Sequence, residues 1–153
     1  MASERDEREV LAETEFLFGL RKGDRRYDVV MKILELCKKG LLRVKILSSA
    51  VVEVKAILYS HGLKPSDVEE VCSLMDIQLV EANIVEYESL TLADVVLAGR
   101  LRSQSPRLTF FDSLHAATAK RLNKALLSND PIYREVEVKT VGFKELVETT
   151  LNS

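Results

Sequence analysis

With 153 residues, 46% of them hydrophobic and 30% charged, the chain is large enough for one genuine core and too apolar to be disordered. A net charge of −2 excludes a polycation, so any contact with nucleic acid must run through local basic patches or metal ions. No apolar run approaches the roughly 18 residues of a membrane span, and the charged start MASERDEREV does not read as a signal sequence.

Residues 1–8 read as a flexible, solvated tail and 9–151 as a single domain. Val10-Leu11-Ala12 is a short buried strand, with Glu13-Thr14-Glu15 at its carboxyl end and a short helix beginning in Phe16–Leu20. The basic loop from Arg21 to Arg26 is either a solvated turn or, through Arg21, Arg25 and Arg26, a rim for phosphates. From Asp28 a helix presents Val29, Val30, Ile33, Leu34 and Cys37 on one face, and Lys38-Lys39-Gly40 closes it. Val44–Leu47 is strand-like, Ser48 or Ser49 caps a helix over Ala50–Ser60, and Lys64–Asp67 restarts a helix through Met75. Ile77–Ile84 reads as a further strand, and Ser89 or Thr91 caps a helix through Arg102. Leu108–Pro131 holds an apolar lead-in, a helix with Leu114, Ala117, Ala119, Leu122 and Ala125 near helical spacing, a short strand to Ser128, and the turn Asn129-Asp130-Pro131. Val136, Val138 and Val141 form a β-branched segment before a last helix over Phe143–Leu151. This alternation predicts an α/β fold with a parallel sheet covered on both faces.

Four acids interrupt or end apolar runs: Glu13 after Val10–Ala12, Glu53 within AVVEV, Asp112 after Phe110-Phe111, and Asp130 after LLSN. A carboxylate near a core costs several kcal/mol unless it is paired, hydrogen-bonded or bound to metal. Taken singly, Asp112 reads equally as a helix cap, Asp130 as a turn residue, and Glu13 and Glu53 as edge carboxylates facing water. Taken together they fall where ligands gather in open α/β sheets, beyond the carboxyl ends of strands. Oxygen-only donors select hard cations such as Mg²⁺ or Mn²⁺ over zinc. One or two such ions suit in-line displacement at a phosphodiester.

The segments VLAETEFLFGL, LSSAVVEVKAIL, LTFFDSLHAATAKRL and LLSNDPIY resemble the successive motifs of the PIN domain in its VapC-like branch, over about Val10 to Leu151. The resemblance implies a three-layer α/β/α sandwich on a five-stranded parallel sheet and a Mg²⁺- or Mn²⁺-dependent endoribonuclease. It implies an acidic pocket of Glu13, Glu53, Asp112 and Asp130, with Glu13, Asp112 and Asp130 toward the metal. It places Thr14 and Ser128 as hydroxyls beside that pocket. The family pattern has Asp followed by Ser or Thr where this chain has Glu13-Thr14. The resemblance further implies RNA as substrate, an antitoxin protein as a partner, and a homodimer. A different class of reading is a weakly active or inactive module that binds RNA or a protein.

His115, one turn after Asp112, reads as a packed or supporting histidine of the pocket. Cys37, His61, Cys72 and His115 lack zinc-like spacing, and the cysteines read as buried thiols of a cytoplasmic protein. Asp94, inside LADVV, either extends the acidic cluster or faces water. Arg100, Arg102 and Arg107, with Lys120, Arg121 and Lys124, either meet RNA phosphates or form a solvated face. Phe16, Phe18, Val29 and Val30 are candidates for a dimer surface or for the core. From the reach of the longer side chain, Glu13→Asp is expected to tighten Mn²⁺ binding.

Overall fold

A computed structural model describes residues 8–153; the expected tail over 1–8, apart from Arg8, lies outside the described residues. The chain runs β1 (Glu9–Ala12), α1 (Thr14–Phe18), α2 (Tyr27–Lys38), β2 (Arg43–Leu47), α3 (Ser48–Ser60), α4 (Pro65–Glu81), β3 (Tyr87–Glu88) and α5 (Leu92–Gln104). It continues with α6 (Phe110–Leu122), β4 (Leu126–Leu127), α7 (Ile132–Glu135), β5 (Thr140–Val141) and α8 (Phe143–Leu151).

The five strands form one sheet in the order β3-β2-β1-β4-β5, and every pairing is parallel. Val10, Leu11 and Ala12 are all buried, as are Ile46 and Leu47 on β2 and Leu126 and Leu127 on β4. Successive strand residues point to opposite faces, so consecutive burial means that both faces are covered. This is the expected three-layer α/β arrangement. From central β1 the chain steps to β2 and β3 on one side; β4 and β5 build the other side. The order therefore reverses between β1 and β4, and their carboxyl ends flank a crevice of the kind that holds ligands in such sheets.

Local chemistry explains most boundaries. Gly40, at φ +71°, follows the last turn of α2. Pro65 opens α4 at a position where its missing N–H costs nothing. Thr91 and Asp94 form a reciprocal capping box at the start of α5.

Four expectations are corrected. Ile77–Ile84 is not a strand: α4 continues to Glu81, with Met75, Leu79 and Ala82 buried while Leu74, Ile77 and Val80 face outward. That is a helical period, and the third strand is reduced to Tyr87–Glu88. Neither Ser48 nor Ser49 caps α3. Ser48 Oγ donates to the Glu88 carbonyl at 2.5 Å, and Ser49 Oγ meets His115 Nδ1 at 2.7 Å. Val136 and Val138 are buried but lie outside β5. Phe16 and Val30 are core residues, and Phe18 and Val29 pack against that core, so the four do not form a patch for a second copy.

Candidate active site

Glu13 is the residue after β1, which brings its side chain to the crevice. It is 4% exposed, and one carboxylate oxygen, Oε1, accepts the Glu15 N–H at 3.0 Å, capping α1. Asp112 sits in the first turn of α6; the cap itself is Thr109, whose hydroxyl accepts the Asp112 N–H at 3.3 Å. Glu53 lies on α3, half-buried. Its Oε1 accepts hydrogen bonds from the Thr14 hydroxyl and, at 2.9 Å, from His115 Nε2.

His115 is fully buried. With Nε2 facing a carboxylate oxygen, that nitrogen carries the hydrogen, and Nδ1 accepts from Ser49 Oγ. One ligating atom each from Glu13, Asp112 and His115 lie within 4.8 Å of one another. Both imidazole nitrogens are committed, however, so the donors left to face an ion are carboxylate oxygens. His115 is thus packed behind Glu53 and Ser49.

The electrostatics match that division. Burial pushes the Glu13 carboxyl well above its ordinary range, and the charges of Glu15, Asp112 and Glu53 push it further, against the opposing Glu15 N–H bond. Among the described residues no Lys or Arg pairs with Glu13 or Asp112. Burial also opposes ionisation of Glu53, but the His115 and Thr14 hydrogen bonds outweigh it and hold that carboxyl below the usual value. An oxygen-rich pocket with uncompensated negative charge fits a hard divalent cation.

Asp130 follows β4 in the turn before α7. Its N–H donates to Ser128 Oγ at 3.1 Å and its Oδ1 accepts the Ile132 N–H at 3.0 Å. It lines a neighbouring cavity of about 770 Å³ together with Glu15, Arg25, Arg26 and Lys144. Thr14 and Ser128 are both buried at the strand ends. Thr14 touches Glu53, while Ser128 serves the turn at Asp130.

Tyr133 was not singled out by sequence reasoning. It is 1% exposed, on the short helix α7, and its hydroxyl donates to Asp112 Oδ1 at 3.1 Å. The available signal was its place three residues after Asp130, at the end of the quoted segment LLSNDPIY.

The basic residues divide by what they touch. Arg21 and Arg25 are exposed. Arg26 is tied to Asp24 and Glu15, Arg102 donates to the Leu108 carbonyl, and Arg107 pairs with Glu135. Lys120, Arg121 and Lys124 do not form a free cationic face: they bind the Val136 carbonyl, Asp94 and Glu9 respectively. Asp94 neither joins the pocket nor faces water. It is fully buried and held by Arg121 at 2.6 Å, the Thr118 hydroxyl and the Thr91 N–H, which together outweigh burial and keep its carboxyl low.

Compared with known families, residues 11–139 match the PIN domain. No curated protein matches the chain. Among solved structures it is similar to VapBC2 from Rickettsia felis bound to a DNA fragment from their promoter. That match has a TM-score of 0.66 at 19% identity over 88% of this chain and 98% of the other. It is also similar to PAE2754 from Pyrobaculum aerophilum (TM-score 0.63, 18% identity, 95% and 99% covered). A third likeness is to FitAcB from Neisseria gonorrhoeae (TM-score 0.62, 17% identity, 88% and 98% covered).

Proposed function

The chain belongs to the PIN domain family, and from that premise we propose that it is a cytoplasmic, Mg²⁺- or Mn²⁺-dependent endoribonuclease of the VapC-like branch, the toxin of a toxin–antitoxin pair. The observation that carries the reading is the convergence of Glu13, Asp112 and Glu53 at the crevice between β1 and β4, with no basic side chain paired to Glu13 or Asp112 among the described residues. The likeness to VapBC structures supports an antitoxin protein as partner. Among the described residues no helix is long and apolar enough to cross a membrane.

Glu13 and Asp112 would hold the ion, which when bound neutralises a phosphodiester and stabilises the leaving oxygen of an in-line displacement. Glu53 has a separate role. Thr14 and His115 both occupy its Oε1 and keep it ionised, so Oε2 is the atom able to accept a proton from an attacking water. Arg25 and Lys144, on the rim of the adjoining cavity, are placed to meet flanking phosphates. In this reading Asp130 shapes that cavity wall and takes part through the turn it builds. Self-association as a homodimer belongs to the same proposal, and the outward residues Leu74, Ile77 and Val80 of α4 offer it an apolar face.

The test is cleavage of single-stranded RNA by the purified protein with and without Mn²⁺. Metal-dependent cleavage that falls about a hundredfold or more in Asp112→Asn is the expected result. Cleavage unaffected by chelation, or equal in the variant, would refute it. RNA binding without cleavage at any metal concentration would favour the module that binds without cutting.

A further inference from the structure

We infer that Tyr133 is a positioning residue that clamps Asp112, fixing one of its carboxylate oxygens so that the other is presented to a divalent ion. The inference rests on the reading of the pocket as a metal site, and it assigns a role to a residue and a helix which that reading leaves unused.

Two observations support it. First, the phenol is a rigid donor in a packed setting: Tyr133 is almost fully buried, and its hydroxyl reaches Asp112 Oδ1 at 3.1 Å. A tyrosine has only two side-chain torsions, so once the ring is packed the oxygen is fixed with little entropy left to lose. Second, the helix that carries the ring is anchored from the strand end. Ser128 Oγ accepts the Asp130 N–H, Asp130 Oδ1 accepts the Ile132 N–H, and Tyr133 follows directly. Asp130 thus acts on the pocket through α7 and Tyr133, and its Oδ1 is spent on that turn.

The physical consequence is selectivity. Mg²⁺ and Mn²⁺ demand near-octahedral oxygen geometry, whereas Ca²⁺ accepts flexible, often bidentate carboxylates. A carboxylate with one oxygen held by a phenol is biased toward one-oxygen binding. Loss of the hydroxyl frees Asp112 to rotate, which harms the demanding ions more than the tolerant one. Outer hydrogen-bond partners of metal ligands are typically worth 10–100-fold in affinity.

The experiment is calorimetric titration of the purified whole chain with Mn²⁺ and separately with Ca²⁺, for the unmodified protein and Tyr133→Phe. The substitution keeps the ring that fills the core and removes only the oxygen. The expected result is Mn²⁺ affinity lower by about tenfold or more with a distinctly smaller loss for Ca²⁺. Equal Mn²⁺ affinity in the two proteins would overturn the inference. A loss of the same size for both ions would overturn it too, because general damage to the pocket does not discriminate between them. If the unmodified protein binds neither ion, the metal-site reading itself falls, an outcome distinct from failure of the clamp alone.

Discussion

Asp94 and Glu13 are both buried carboxylates, 0% and 4% exposed, and their surroundings are opposites. Asp94 receives an Arg121 guanidinium, a Thr118 hydroxyl and a backbone N–H, and its carboxyl is held low. Glu13 receives one backbone N–H and otherwise faces Glu15, Asp112 and Glu53, and its carboxyl is driven high. A buried acid whose donors are complete within the chain is a structural element. One that is surrounded by other acids is left, without a partner from outside the chain, to take up a proton. The same chemical group, buried to nearly the same degree, thus reads as a rivet in one place and, on the function proposed above, as half of a binding site in the other.

The largest test of this contrast is Asp94→Ala. It leaves the partly open Arg121 without its buried partner and removes the acceptor for Thr118 and the Thr91 N–H, so α5 loses its reciprocal cap and its tie to α6. The expected cost is about 3 kcal/mol, at the low end for breaking a buried pair because water can reach Arg121. Urea unfolding followed by circular dichroism measures it. A cost below about 1 kcal/mol would mean that Asp94 is not the closed structural acid described above.

The opposite sign is expected at Glu13. Glu13→Gln keeps an acceptor for the Glu15 N–H and removes the charge that the other acids repel. The metal-free variant should be more stable at neutral pH by on the order of 1 kcal/mol, the scale common for single stabilising substitutions. The pH dependence follows from the direction of the shift. The folded-state pKa of Glu13 lies above its ordinary value of 4.5, so the fold prefers the protonated acid. Its contribution is fully present below about pH 4.5 and is lost as pH rises through the raised value. Asp94 runs the other way: its stabilisation is present above its ordinary 3.8 and is lost as pH falls through the lowered value. Melting of metal-free protein between pH 4.5 and 8 should therefore show a downward slope that Glu13→Gln reduces. An unchanged slope would remove Glu13 as its source.

The same contrast explains what could be read from the chain without coordinates. The strand leading into Glu13, the helix carrying Asp112 and the final helix Phe143–Leu151 were legible because each has a clear apolar pattern and chemical punctuation at its ends. Ile77–Ile84 was misread because its residues are mostly apolar: the outward Ile77 and Val80 mimic strand residues, and only Met75, Leu79 and Ala82 reveal the helical period. Ser48 and Ser49 have the right chemistry for caps, but tertiary partners claim their hydroxyls. For Asp94 the sequence offers only the acidic cluster or a water-facing position, because its partners, Thr118 and Arg121, lie more than twenty residues away. Tyr133 was overlooked for a related reason: an aromatic after a turn reads as core, and its aim at Asp112 exists only once α7 and α6 are brought together.

The smallest expected effect concerns the residue that departs from the family pattern. From reach alone, a glutamate in place of an aspartate looks displaced, and Glu13→Asp is expected to improve the site. The geometry at Glu13 argues for the opposite direction. A Glu13 carboxylate oxygen already lies within 4.8 Å of ligating atoms of Asp112 and His115, while Oε1 is anchored on the Glu15 N–H. The longer arm is thus folded back on its own helix start and still reaches the pocket. Aspartate could keep the cap, since its side chain forms the same turn with the residue two further on. It would draw the carboxylate back by about one bond length, roughly 1.5 Å. Ions of this class readily keep waters in place of a lost protein oxygen, so the loss should be modest. We expect Mn²⁺ affinity to fall on the order of fivefold, which is about 1 kcal/mol. Glu13→Ala should fall further, because it loses the cap as well as the ligand. Calorimetric titration of the three proteins decides the matter. Tighter binding by the aspartate variant would show that the longer side chain is a compromise, and that the strand end has not adapted to it.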